Sequence, residues 1–423
     1  MVGVALLVNG IAGGAVWSSV GVWIEALEVQ FAWSRTQLAG AFSLSQLESS
    51  FVGPLAGFLT DRFGPRRMVL VGLIGMGIGF LVFSLTTNIA IFYLAFIIIM
   101  LGAGLGTFLP VMTALNRWFL RRRGTAIAIA GEGYFLSGIA IVPILAWAVT
   151  PGHVGWEDTS RWIGFIILAS AWPVSRLVRN RPEDSGQYPD GDEPAEVQAA
   201  GQQAREPEAG TAAGPDFTVR QALRTPAFWY ITFGHSLSSM LNAALTVHLI
   251  LMLTDQDLSL QMASFVWSVI MATGAVFQLI GGYLGDRLSK RLVLFVCGTV
   301  QAAGFAGFAL AALTDTPEIV FLFGVVYGAG FGARIPLTTA IRGDYFGRKA
   351  FASIMGISSA PMYLLMLVAP LFAGAMYDLT DSYVIPFMVL AAMGSLSGVC
   401  FLMAKKPEWV EPAWATGQAR QRA

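Results

Sequence analysis

The sequence predicts an all-α integral membrane protein of about twelve transmembrane helices, built as two parallel six-helix repeats (6+6) with both termini cytoplasmic. Three observations predict it. The 423 residues are 55% hydrophobic and only 12% charged, with a mean hydropathy of +0.64, whereas soluble domains carry about 25% charged residues. Apolar runs of roughly 20 residues, the length that crosses about 30 Å of hydrocarbon, come in two groups of six. Charged motifs between the runs recur in each half of the chain.

In order, the runs are 2–24, 37–60, 68–87, 91–114, 124–148 and 161–178, then 227–253, 262–285, 292–313, 318–341, 351–376 and 383–404. They are continuously apolar rather than alternating, which favours helices over a barrel. The chain start shows neither a basic n-region nor an A-x-A site, so no signal peptide is expected. Sidedness follows from the charges. Arg62, Arg66 and Arg67 follow the second run, Arg117 and Arg121 to Arg123 the fourth, and Arg287, Lys290 and Arg291 the eighth. Arg342, Arg348 and Lys349 follow the tenth, and Lys405 and Lys406 open the tail. The opposite loops carry mainly acids: Glu25, Glu28, Asp255, Asp257, Asp315, Glu318, Asp378 and Asp381. Lysine and arginine mark the cytoplasmic side, so both termini belong there.

This divides the chain into an N-terminal six-helix bundle (1–178), a cytoplasmic linker (179–220), a C-terminal six-helix bundle (221–404) and a cytoplasmic tail (405–423). The linker is polar, acidic and rich in Gly, Pro, Ala and Gln without apolar periodicity, as flexible connectors are; a regulatory docking segment is the alternative.

Several function classes fall away. Lys+Arg and Asp+Glu number 26 each, a net charge of zero that gives no reason to expect nucleic acid. Cys297 and Cys400 lie inside apolar runs and the three histidines are far apart, so neither a disulfide frame nor a metal site is indicated. No lysine precedes Ser or Thr, so there is no G-x-x-x-x-G-K-[ST] phosphate loop. Without a nucleophile–base set either, no catalytic residue, cofactor or enzymatic activity is expected.

The halves are repeats. "GFLTDRFGPRR" (57–67) returns as "GYLGDRLSKR" (282–291), Asp61 to Asp286 being 286 − 61 = 225 residues. "GTFLPVMTALNRWFLRRRGTA" from Gly106 returns as "GARIPLTTAIRGDYFGRKAFA" from Gly332, Pro110 to Pro336 being 336 − 110 = 226. An even number of spans per copy keeps both in one orientation. Parallel repeats about an axis along the membrane normal are a known transporter plan, with the solute site near the midplane.

On these residues the chain resembles the major facilitator superfamily across essentially its whole length. Gly57-x-x-x-Asp61-Arg62-x-Gly64-x-Arg66-Arg67 is similar to its loop 2–3 signature, and Gly282-x-x-x-Asp286-Arg287 to the weaker second copy. "WFLRRRGTAIAIAGEG" resembles the span-four-to-five signature of the monocarboxylate transporter and oxalate–formate antiporter group. "FAWSRTQLAGAFSL" and "DYFGRKAFASIMGI" are similar to its bacterial members. The resemblance implies a monomeric, multi-pass protein of the cell (inner) membrane. It implies secondary active transport of a small organic solute, with carboxylates among the candidates, by alternating access coupled to protons or to solute exchange. Export of a neutral or cationic metabolite or drug is the alternative, as is a non-transporting sensor on the same fold. It also implies gating by Gly57, Asp61, Arg62, Gly64 and Arg66. Asp61 would hold a neighbouring helix end in the outward-facing state and release it in the inward-facing one; a mere topology anchor is the alternative. Asp286 and Arg287 would echo this more weakly, since Ser289 stands where the first copy has Gly64.

Ionisable side chains inside spans cost at least about 2.5–3.5 kcal/mol each. Glu48 lies mid-span on a polar face with Ser45 and Ser49, either as a solute- or proton-binding carboxylate or as a neutral hydrogen-bonded acid. Glu132 and Arg334 lie at similar depth in spans five and ten. Three arrangements stand: a pair across the halves when the cytoplasmic side closes, a permanent buried ion pair, or an Arg334 that receives an anionic solute. Arg334 replaces Phe108 of the first repeat, so it is an addition to the shared scaffold. His235, Ser238, Ser239, Asn242 and Thr246 form one polar stripe on span seven, lining a cavity or bonding between helices. His235 or His248 are candidate proton relays, with packing as the other reading. The resembling group carries a span-eight arginine for the solute carboxylate; here that position is Gln278, span eleven has no lysine, and Glu25 stands near a lysine of some members. Carboxylate binding then rests on Arg334.

Overall fold

Helix starts in this chain are written in its caps. Ser34 accepts from the Gln37 backbone N–H at 3.2 Å while the Gln37 side chain accepts from Ser34 N–H at 3.1 Å, a capping box that opens a 29-residue helix. Asn88, Thr225 and Ser259 cap three further helices through their side chains. The computed structural model describes residues 1–119, 123–183, 186–188, 217–314, 316–347 and 350–407; side chains 47–54, 61, 116, 123–125, 128, 286, 317, 351 and 352 lie outside that description. Among the described residues every regular element is helical.

The first set comprises α1 (Val2–Ala12), a π-helical turn (Gly13–Trp17), α2 (Val20–Phe31), α3 (Arg35–Phe63), α4 (Pro65–Phe83), α5 (Ile89–Gly106), α6 (Phe108–Trp118), α7 (Arg123–Val149) and α8 (Trp156–Leu177). The second comprises a short α9 (Val219–Leu223), α10 (Pro226–Thr254), α11 (Leu260–Arg287), α12 (Lys290–Thr314), α13 (Val320–Phe346), α14 (Phe351–Thr380) and α15 (Val384–Met403). Ahead of α9 the Phe217 N–H donates to the Phe346 carbonyl at 3.0 Å.

Two expected spans are broken. The run 2–24 is interrupted by the π turn and extends to Phe31, which draws Glu25 and Glu28 out of the expected loop into α2. The turn sits where α7 comes close: a Cβ on Gly14 would meet Ile141 at 2.4 Å. The run 91–114 breaks at Thr107 (φ −110°, ψ −91°), because Pro110 has no N–H for the Gly106 carbonyl and its ring crowds that carbonyl. Ten helical stretches among the described residues are long and apolar enough to cross a membrane. The sixth expected span, α8, carries Glu157, Asp158, Arg161 and Arg176 and is too polar to count with them. The second, α3, contains side chains outside the description.

Within the first set α4 packs along α5 and α8, α1 along α7, and α3 along α5; within the second, α11 and α12 pack along α13, and α10 along α14 and α15. Three pairs join the sets: α3 with α14, α7 with α11, and α2 with α10. The most apolar window of α10 is 83% buried, which makes it the central helix. Large apolar side chains such as Ile144, Trp162, Ile166, Leu279, Leu322 and Leu364 are exposed, as suits a surface whose solvent is lipid.

The link between α3 and α4 is shorter than the expected loop. α3 runs through Asp61 and Arg62 to Phe63, and Gly64 alone turns the chain at φ 83°, ψ 154°, a conformation open essentially only to glycine. The turn is tied down by Asn180, whose Oδ1 accepts the Arg66 N–H at 3.0 Å. Gly57 has no such need: a Cβ there would meet only Leu109, at an ordinary 3.7 Å. In the second copy Leu288 turns at φ −116°, which any residue adopts, so Ser289 is tolerated.

Candidate functional site

Close helix crossings build the site. A Cβ on Gly330 would meet the Gln301 backbone N at 2.5 Å, and one on Gly332 would meet the Gly274 carbonyl at 2.0 Å, so α13 lies against both α12 and α11. One turn beyond Gly330, on the same face, Arg334 reaches Gln301: its Nε donates to Gln301 Oε1 at 3.1 Å. The Gln301 amide is held at its other end, where Nε2 donates to the Ser238 carbonyl at 3.1 Å and lies 3.2 Å from the Tyr327 hydroxyl. These bonds leave both Arg334 Nη groups without a hydrogen bond or ion pair among the described residues. Arg334 is only 3% exposed and borders a cavity of about 300 Å³ between α10, α13 and α14.

Three stripe residues of α10, His235, Ser239 and Asn242, line that cavity. Ser238 instead bonds Ser397 of α15, between helices, and Thr246 Oγ1 turns back to the Asn242 carbonyl of its own helix at 2.8 Å. Asn242 Oδ1 is buried without a partner among the described residues. His235 Nδ1 lies 3.1 Å from Arg342 Nη2; guanidinium only donates, so Nδ1 accepts and the imidazole proton sits on Nε2. Arg342, expected in the loop after span ten, is inside α13 and 1% exposed, its Nη1 donating to the Thr338 carbonyl at 2.6 Å. His248 lies away from the cavity and meets the Tyr383 hydroxyl at 2.8 Å and the Pro370 carbonyl at 2.9 Å.

The structure separates the other candidates from this cluster. Glu132 accepts from Gln278 Nε2 at 2.9 Å across α7 and α11, and neither lines the cavity. A permanent Glu132–Arg334 ion pair is therefore ruled out, since each has a different partner. The side chains of Glu48, Asp61 and Asp286 lie outside the described residues. Of the arginines expected to gate, Arg62 lies 5.5 Å from the Phe63 ring and Arg287 lies 4.2 Å from the Tyr283 ring. Gln301, not anticipated, was visible as a lone amide in the apolar run of α12.

A second constellation, also not anticipated, closes one end of the molecule. Arg35, 5% exposed, gives Nη1 and Nη2 to Asp255 at 2.5 and 2.7 Å and Nε to Glu28 at 2.9 Å. Its Cζ sits 3.8 Å from the Tyr377 ring centroid, a cation–π distance. Asp378 accepts the Arg35 and Thr36 backbone N–H groups at 3.1 Å each and the Thr36 hydroxyl at 2.5 Å. The residues come from both sets, α2 and α3 on one side and the ends of α10 and α14 on the other. A bidentate fork, a stacked ring and a shared helix cap make this a specific lock rather than a loose surface pair.

The chain is 25% identical to monocarboxylate transporter 13 of Bos taurus over 379 residues, covering 88% of this chain and 82% of that protein. It is 26% identical to the oxalate:formate antiporter of Oxalobacter formigenes over 347 residues, covering 75% and 73%. A crystal structure of a D-xylose–proton symporter superposes with a TM-score of 0.73 at 15% identity, covering 96% of this chain and 97% of that one, which shows the shared fold. Membrane transporters, not enzymes, thus surround it on every side. The family model described as Major Facilitator Superfamily matches residues 5–333 and 274–422, and the chain belongs to that superfamily.

Proposed function

We propose that this protein is a secondary active transporter of a small organic carboxylate, moving it across the cell membrane by alternating access. One observation carries the reading: a buried guanidinium, Arg334, borders a cavity and, among the described residues, has both Nη groups unpaired and no carboxylate beside it. A buried charge without a counter-ion is costly, and an incoming carboxylate matches its fork in two parallel hydrogen bonds. The names of the monocarboxylate and oxalate:formate relatives support the same solute chemistry. Twelve spans in two bundles (1–178 and 221–404), both termini in the cytoplasm and a monomeric unit complete the reading. On this reading the Arg35 lock shuts the outer end, and the solute reaches the cavity from the cytoplasm. Coupling is to a proton or to counter-exchange of a second solute.

Uptake into proteoliposomes tests this, with labelled acetate, lactate, hexanoate and oxalate as probes. The wild type moves at least one of them, and Arg334→Ala lowers that flux at least about 100-fold, the loss of a charge-assisted bidentate contact. Stimulation by an imposed pH gradient distinguishes proton coupling from exchange, which instead needs internal solute. Full flux in Arg334→Ala overturns the reading.

A further inference from the structure

The cavity has two kinds of wall. α10 contributes His235, Ser239 and Asn242, and α13 adds Arg334, Thr338 and Thr339, all polar. Among the described residues α14 contributes Met362 and Met366, one helical turn apart, and α13 adds Phe331 and Ile335 at the same spacing. The volume of about 300 Å³ equals about ten water molecules at about 30 Å³ each, room for ten or more covalently bonded heavy atoms.

We infer that the solute is an amphipathic monocarboxylate of about ten heavy atoms, an aryl- or medium-chain alkyl-carboxylate, with its carboxylate on Arg334 and its apolar body against Met362, Met366, Phe331 and Ile335. This rests on the carboxylate reading above. A two-carbon acid leaves the methionine and phenylalanine wall in contact with water and forgoes its burial. A dicarboxylate brings a second charge to a lining whose described residues hold one guanidinium: Arg342, behind His235, already has its Nη groups on the Thr338 carbonyl and the His235 ring. Methionine side chains are flexible and polarisable and fit irregular shapes, so selectivity follows apolar size more than outline.

Titration calorimetry of the purified full-length protein near neutral pH, with acetate, hexanoate, 3-phenylpropionate, oxalate and the neutral 3-phenylpropionamide, tests the inference. Affinity rises about fourfold per methylene from acetate to hexanoate, and 3-phenylpropionate binds at least about 100-fold tighter than acetate or oxalate. The amide binds at least about tenfold more weakly than its acid. Replacing both methionines (Met362→Ser with Met366→Ser) shrinks the ratio of phenylpropionate to acetate affinity about tenfold, whatever the absolute values. Acetate or oxalate binding as tightly as 3-phenylpropionate, with the amide still weak, overturns this inference and leaves the carboxylate reading standing. An amide that matches its acid overturns the carboxylate reading while the apolar wall survives. Absence of binding by every compound overturns both.

Discussion

Gln301 decides which way Arg334 faces. Its oxygen takes the arginine Nε, and its nitrogen is committed to Ser238 and Tyr327. Gln301→Ala strips a buried guanidinium of its acceptor, a loss of about 1.5–3 kcal/mol for a bond to a charged group. The KM for the transported acid should rise roughly 10- to 100-fold, read from initial uptake rates. Gln301→Glu is the sharper variant: it supplies Arg334 with a resident counter-ion and should abolish uptake while the melting temperature holds. Normal uptake by that variant would show that Arg334 does not receive the solute. Arg334, His235 and Asn242 were legible in the sequence because polar side chains deep in an apolar run need a reason. Which partner each takes was not legible, since Gln301 and Arg334 are 33 residues apart and meet only through a helix crossing. Gln278 as the partner of Glu132 was hidden for the same reason: depth along a helix is readable, but the face turned to a neighbour is not.

Among the elements, the α3–α4 turn carries the clearest demand on a single residue. Gly64 alone connects two long helices at positive φ, so Gly64→Ala should cost about 1–3 kcal/mol and lower the thermal midpoint of the purified protein by a few degrees. Ser289→Ala at the matching point of the second repeat should leave it unchanged, because Leu288 turns there at an ordinary φ. Equal effects in both would mean that the glycine is not held by its backbone. The turn was readable from the repeated motif, and so was its weaker echo. The breaks at Gly13–Trp17 and Thr107 were not, because hydropathy averaged over a window reports which residues are apolar and is silent on the path of the backbone. Pro110 was in plain view, yet the same residue type sits inside α7, α8, α13 and α14 without ending them.

For the whole molecule, the proposed alternating access requires the Arg35 end to part. Thr36→Cys with Asp378→Cys places two thiols where a side-chain hydrogen bond now joins the sets. Oxidation should stop transport in proteoliposomes and reduction restore it, with neither single variant responding. Flux that survives complete cross-linking would show that this end stays shut throughout the cycle. The division into two sets was expected from the constant offset between repeated motifs. Which end is closed was not, because the alternative states of such a protein differ by only a few kcal/mol and the same sequence serves each of them. The first turn of α3 shows how the parting leaves the helix intact. Four N–H groups at a helix start have no partner within it. Ser34 and Gln37 satisfy each other, and those two bonds travel with the helix; the Arg35 and Thr36 amides are answered by Asp378 from across the gap. When the two sets separate, water enters at that very place and takes over the two amides, an exchange of about 0.5–1.5 kcal/mol each. The helix therefore undocks with a start that is half self-sufficient and half hydrated, and moves as a rigid rod without unwinding its first turn.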